Sequence, residues 1–99
     1  MPSANESDIW IDKGMVFNKL GRFREAVDCF NEAIKLNSED ADAWYNKGMA
    51  LGALKDFNEA IIAFNEAIRI NPEDIDAWTN KSIAISNLGN FDEAIKSFD

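Results

Sequence analysis

The chain has 99 residues, 46% of them hydrophobic, and its 10 basic against 18 acidic side chains give a formal net charge of −8. That length holds one domain with one core. The acidic balance argues against nucleic acid and anionic membrane surfaces, both of which are met through basic residues, and the apolar runs fall far short of the roughly 20 residues needed to span a bilayer.

No charged, then apolar, then small-residue leader opens the sequence. Histidine is absent and Cys29 is the only cysteine. The chain therefore lacks imidazole zinc ligands, Ser/His and Cys/His nucleophile pairs and any intrachain disulfide. A single thiol fits a reducing, cytoplasmic setting.

Taken in chain order, residues 1–6 read as a loose N-terminal tail and residues 7–99 as a repeat domain. Trp10, Trp44 and Trp78 recur at intervals of 34 residues, within WIDKGM, WYNKGM and WTNKSI. GRFREAVDCF, KDFNEAIIAF and GNFDEAIKSF follow at the same period, and NEAIKLNSED is matched by NEAIRINPED. The repeats are 7–40, 41–74 and an incomplete 75–99. A period of this size marks stacked supersecondary units.

Each unit reads as two helices joined by a turn. In the second unit the first helix carries Trp44, Met49, Leu51 and Leu54. The second carries Phe57, Ala60, Ile61, Phe64, Ala67 and Ile68 at steps of three and four. Turns are expected at Gly21-Arg22, Lys55-Asp56 and Gly89-Asn90, the last followed by a short helix over 91–99. Second helices should end near Asn37 and Asn71, with Pro72 blocking continuation. Glu39, Asp40 and Asp42, then Glu73, Asp74 and Asp76, open the following first helices, where acid complements the macrodipole. Their alternating carboxylates faintly suggest a calcium loop, but the glycine and closing glutamate of one are missing, so no metal site is read there. Glu32–Lys35 and Glu66–Arg69 are spaced to pair.

Gly14 and Gly48 interrupt first helices at a cost of about 1 kcal/mol each against alanine. Set opposite the recurring Ala26 and Ala60, they should let the two helices of a hairpin approach closely. Ser82 should pack almost as closely in unit three. The tryptophans and phenylalanines read as core, and Cys29, at the position of Ala63 and Ser97, as a small buried filler.

With these positions recurring together, the chain resembles the tetratricopeptide repeat family. Its pattern has Trp at unit position four, Gly at eight, a large apolar residue at eleven, Ala at twenty, an aromatic at twenty-four, Ala at twenty-seven and Pro at thirty-two. Here those are Trp10, Trp44 and Trp78; Gly14, Gly48 and Ser82; Phe17, Leu51 and Ile85; Ala26, Ala60 and Ala94; Phe30, Phe64 and Phe98; Ala33 and Ala67; and Ser38 and Pro72. The resemblance implies an all-α, right-handed solenoid of tandem 34-residue helix-turn-helix repeats, the third truncated. It also implies a non-catalytic module that needs no cofactor and binds a partner protein or peptide in a concave groove lined by first helices.

Mapped residue by residue, the implied groove comprises Asp8, Ile11, Asp12 and Met15 from unit one. Asp42, Tyr45, Asn46 and Met49 come from unit two, and Asp76, Thr79, Asn80 and Ile83 from unit three. Asn18, Lys19, Gly52, Ala53, Ser86 and Asn87 lie at its margin. These positions form one helical stripe distinct from the Trp–Gly stripe. Its Ile11, Met15, Tyr45, Met49 and Ile83 suit adaptable apolar recognition, while Asp8, Asp42 and Asp76 favour a ligand with Lys or Arg. Asn46 and Asn80 are candidates to bond the backbone of an extended peptide. Some members of the family clamp a C-terminal carboxylate, but of those clamp positions only Asn46 matches here, the others holding Ile11, Met15, Asp76 and Asn80.

Unit three breaks off inside its second helix, leaving Ala94, Ile95 and Phe98 without their usual cover. A self-associating assembly unit, joined through that C-terminal end to a second copy, is the alternative reading.

Overall fold

The computed structural model describes residues 6–96, with the side chains of 93 and 94 excepted. Five helices follow one another: α1 (Glu6–Lys19), α2 (Phe23–Leu36), α3 (Ala41–Ala53), α4 (Phe57–Ile70) and α5 (Ile75–Lys96). Helices α1/α2 and α3/α4 form two antiparallel hairpins, and α3 stacks on α2 as α5 does on α4. No described helix is long and apolar enough to cross a membrane.

The hairpin turns follow from backbone chemistry. Gly21 and Lys55, 34 residues apart, take the left-handed conformation at φ 76° and 65°. Just beyond them the Arg22 N–H donates to the Phe17 carbonyl and the Asp56 N–H to the Leu51 carbonyl, each at 2.9 Å. These six-residue closures satisfy carbonyls that the helix ends leave unpaired. Between repeats, Asp40 caps α3 by accepting from the N–H groups of Asp42 and Ala43 (3.0 and 3.4 Å). Asp74 likewise accepts from the Ala77 N–H at 3.2 Å. One carboxylate of each acidic cluster, Asp40 and Asp74, is thus a helix cap.

The core is built from alanines and two rings. Phe30 and Phe64 are almost fully buried, as are Ala26, Ala33, Ala60 and Ala67. The glycines act differently from expectation. What each meets first on its hairpin's second helix is a ring, for which it makes room. A Cβ on Gly14 would lie 2.5 Å from Phe30 Cε1, and one on Gly48 2.6 Å from Phe64 Cε1. The tryptophans are also less internal than expected. Trp10 and Trp44 are half-buried at the core's margin, and Trp78 is 47% exposed. Two of the indoles serve the joints, the Trp44 Nε1–H donating to the Ser38 carbonyl (2.9 Å) and that of Trp78 to the Pro72 carbonyl (2.8 Å). A lysine three residues on lies over each indole, at 5.1 to 5.3 Å from its centroid.

Unit three departs from the expected hairpin. There is no turn at Gly89-Asn90; α5 runs unbroken for 22 residues, about 33 Å at 1.5 Å per residue. Gly89 sits in the register of Gly21 and Lys55 but stays helical. Ser82 stands where the first two units carry the glycine that seats the ring. Its Cβ stands where, by the geometry at Gly48, a position-twenty-four ring would come within 3 Å. A hairpin closed here would have to reseat that ring, whereas helix continuation adds one hydrogen bond per residue. The stripe that would receive a second helix is correspondingly bare: Ile85 is 49% exposed where its counterpart Leu51 is 4%. Of the expected C-terminal contact residues, Ile95 is exposed on α5. The Ala94 side chain and Phe98 lie outside the described residues, as do residues 1–5 of the N-terminal tail.

Candidate functional site

The first helices of the units, α1, α3 and α5, line one face of the stack, and two hollows open on it. The first, about 540 Å³, lies between the N-terminal halves of α1 and α3 and is lined by Asp8, Ile11, Asp12, Met15, Asp42, Tyr45 and Asn46. All seven belong to the stripe read from the sequence. The second, about 280 Å³, lies between the C-terminal half of α3 and residues 80–87 of α5, with Met49, Asn80 and Ile83 from that stripe. The two hollows differ in chemistry. Three carboxylates edge the first, and among the described residues it has no cation in its lining. The second has no charged side chain in its lining and is floored by rings.

Those rings are what the sequence stripe missed. Phe57 and Phe64 of α4 reach the second hollow beside Gly48, Gly52, Ala53, Ala84 and Asn87. The small residues at 48, 52 and 53 leave a window in α3 through which second-helix aromatics contribute surface. That run of three was the available signal.

Tyr45 stands between the hollows. Its ring meets Phe64 at 5.9 Å and 54°, and its hydroxyl accepts from Asn80 Nδ2 at 3.1 Å, joining α3 to α5. Burial, and after it the charges of Asp76 and Asp74, push the Tyr45 phenol above its usual range, so it stays neutral. Asn46 and Asn80 turn their amides inward as well. Each Nδ2 donates to the carbonyl four residues back, Asp42 at 2.8 Å and Asp76 at 2.9 Å. Asn80 thereby engages both its amide hydrogens within the protein. Ile11 is buried in the core cluster at 7% exposure and offers little beyond an edge. Asp76 and Thr79 are exposed but line neither hollow. Met15, Met49 and Ile83 are the apolar side chains most open to solvent on this face.

Away from the groove, Cys29 is buried on the hairpin's other side. Burial raises its thiol pKa, Lys13 opposing. The expected pairs Glu32–Lys35 and Glu66–Arg69 close at 2.9 and 3.1 Å. Arg69 also holds Glu39 at 2.7 Å, a link between repeats that spacing along one helix does not reveal.

Stacked antiparallel hairpins with a first-helix groove define a helical repeat protein of the solenoid class. Family models described as tetratricopeptide repeat match residues 11–75 and 63–96. The chain belongs to the tetratricopeptide repeat family. A search of curated proteins found no match. Among solved structures, the second tetratricopeptide domain of Spaghetti (RPAP3), bound to the HSP90 peptide SRMEEVD, is similar with a TM-score of 0.83 at 25% identity, over 94% of this chain and 86% of that one. The tetratricopeptide domain of Arabidopsis OM64 gives 0.82 at 28%, over 93% and 76%. The second-B domain of yeast Sti1 in complex with an Hsp70 peptide gives 0.82 at 28%, over 91% and 72%.

Proposed function

We propose that this chain is a non-catalytic protein-interaction module that binds a peptide segment of a partner across the α1–α3–α5 face. The observation that carries the reading is the pair of hollows along one face, the first lined by the solvent-exposed Met15 and the second by the solvent-exposed Met49 and Ile83. Exposed apolar side chains grouped in a concavity mark binding surface. Similar domains bound to HSP90 and Hsp70 peptides support it. The hairpins are packed before any ligand arrives, so little ordering entropy opposes binding on this side. Selection from a random peptide library, followed by calorimetry, tests the assignment. Selected peptides should lose at least about tenfold in affinity to Met49→Asp and Ile83→Asp variants that keep the parent's circular dichroism. Equal affinity for parent and variants refutes it.

A second reading, self-association through α5, draws on Ile75, Trp78 and Ile85, exposed along one stripe of that helix. Light scattering across a concentration series decides it. A mass fixed at 11.1 kDa throughout removes it, whereas a rise that Ile85→Asp abolishes supports it.

A further inference from the structure

We infer that the groove selects a peptide with two anchors of particular chemistry and spacing: a cationic side chain in the α1/α3 hollow and a large apolar one in the α3/α5 hollow. The inference rests on the groove reading and adds to it the chemistry and separation of the ligand's anchors.

The sign follows from the linings. Asp8, Asp12 and Asp42 edge the first hollow, and Met15 and the Tyr45 ring supply its apolar wall. An arginine or lysine fits such a cup, its stem along the thioether and ring and its head among the carboxylates. An acidic residue there would meet three like charges, which costs affinity and slows encounter. The second hollow has Met49, Ile83, Phe57 and Phe64 with no charge in its lining, so a buried leucine, methionine or aromatic is its matching occupant.

The spacing follows from the helices. Tyr45 marks the first hollow on α3 and Gly52 the second, a step of about 10 Å at 1.5 Å per residue. Moving from the α1/α3 to the α3/α5 cleft adds about 10 Å, one helix-to-helix distance. The diagonal is about 14 Å, which about four residues of extended chain cover at roughly 3.3 Å each. Tyr45 and Asn80, bonded to each other, form the sill the chain crosses, and this pair holds the two cups in fixed relation.

The test uses the whole 99-residue chain and fluorescein-labelled glycine–serine peptides read by anisotropy. One carries arginine and leucine about four residues apart; others space them about eight apart, replace arginine by glutamate, or replace leucine by serine. The expected order places the four-residue arginine–leucine peptide at least about tenfold tighter than each of the others, with affinity falling as salt rises from roughly 50 to 500 mM. Asp12→Asn combined with Asp42→Asn should erase the preference for arginine over glutamate yet leave that for leucine over serine. If the peptides bind and Ile83→Asp blocks them, but charge and spacing make no difference, the groove reading stands and this inference falls. Tighter binding of the glutamate peptide overturns it directly. If none of the peptides binds while library-selected peptides do, the assigned anchors are wrong, and if neither binds, both readings fail.

Discussion

Gly48 and Gly52 lie one helical turn apart on α3, and alanine at the two positions should move stability in opposite directions. At Gly48 an added Cβ would sit 2.6, 2.8 and 2.9 Å from three atoms of the Phe64 ring. Ordinary contact begins near 3.4 Å, so the ring must retreat by most of an ångström, and at 2% exposure it has nowhere to go. Overpacking of this kind costs about 1–3 kcal/mol, and the gain in helix propensity returns about 1 kcal/mol. The net expectation is a loss of about 1 kcal/mol. At Gly52 nothing lies within 4 Å of the added carbon, so the propensity gain of about 0.5–1 kcal/mol is kept. Urea unfolding followed by circular dichroism and tryptophan fluorescence should separate the two midpoints by about 1–2 M, for a slope of about 1 kcal/mol per M. Phe64→Leu supplies the control. In that background Gly48→Ala should lose much of its penalty, a coupling of about 1 kcal/mol. If Gly48→Ala stabilises as Gly52→Ala does, or costs the same with and without the ring, the ring-seat account of these glycines is wrong.

Other outcomes follow from the same geometry. Lys55 occupies the left-handed region at φ 65°, so Lys55→Gly should raise the urea midpoint by about 1 kcal/mol equivalent; a fall would mean the lysine side chain supports the turn. The Arg69 guanidinium holds the Glu39 carboxyl below its ordinary 4.5. A depressed folded-state pKa gives stability that is present above the unfolded value and vanishes as pH drops through the folded one. Parent and Arg69→Gln should therefore differ in Tm at neutral pH and converge below pH 4.5, and a gap independent of pH would rule out this ion pair as its source. Burial raises the Cys29 thiol, so iodoacetamide should label it at least about tenfold faster in urea than in the native protein, and equal rates would place the thiol at the surface.

Much of this was legible because the period of 34 fixes many positions at once. The two complete hairpins, their turns at Gly21 and Lys55, the acid caps and the groove stripe all repeat, and repetition separates a structural signal from an accident of composition. What escaped were contacts between residues that no local spacing relates. Arg69 reaches Glu39 across 30 residues. Phe57 and Phe64 enter the groove from a helix whose own periodicity marks them as internal. Asn46 and Asn80 sit where a ligand could meet them, yet their amides bond their own helices, which spacing alone does not decide. The 34-residue spacing marks the tryptophans as core, although the indole N–H asks for an acceptor, and the joint carbonyls of Ser38 and Pro72 supply one to Trp44 and Trp78.

The third unit allows a test of whether one Cβ governs more than its own site. Gly89 has the freedom to enter the left-handed region that Lys55 enters at a cost, so the turn residue does not forbid a hairpin. Ser82 is the discriminating difference, since it fills the seat that Gly14 and Gly48 keep open for a ring. Ser82→Gly should then shift α5 towards closure despite the helix propensity it sacrifices, because a ring seat of the kind that buries Phe30 is worth about 2–3 kcal/mol against about 0.5 kcal/mol for serine over glycine in a helix. Carbon secondary shifts report the change directly. Residues 88–90 should be helical in the parent and lose that signature in Ser82→Gly, while Trp78 becomes less accessible to acrylamide. Phe91 on the straight helix faces Phe57 across a further hollow shared with Lys55, Asn87 and Asn90, so folding 91–96 back would remove that wall. If residues 88–90 stay helical in Ser82→Gly, the straightness of α5 is set by its own sequence from Gly89 onward, and the seat at position 82 is not what holds the third hairpin open.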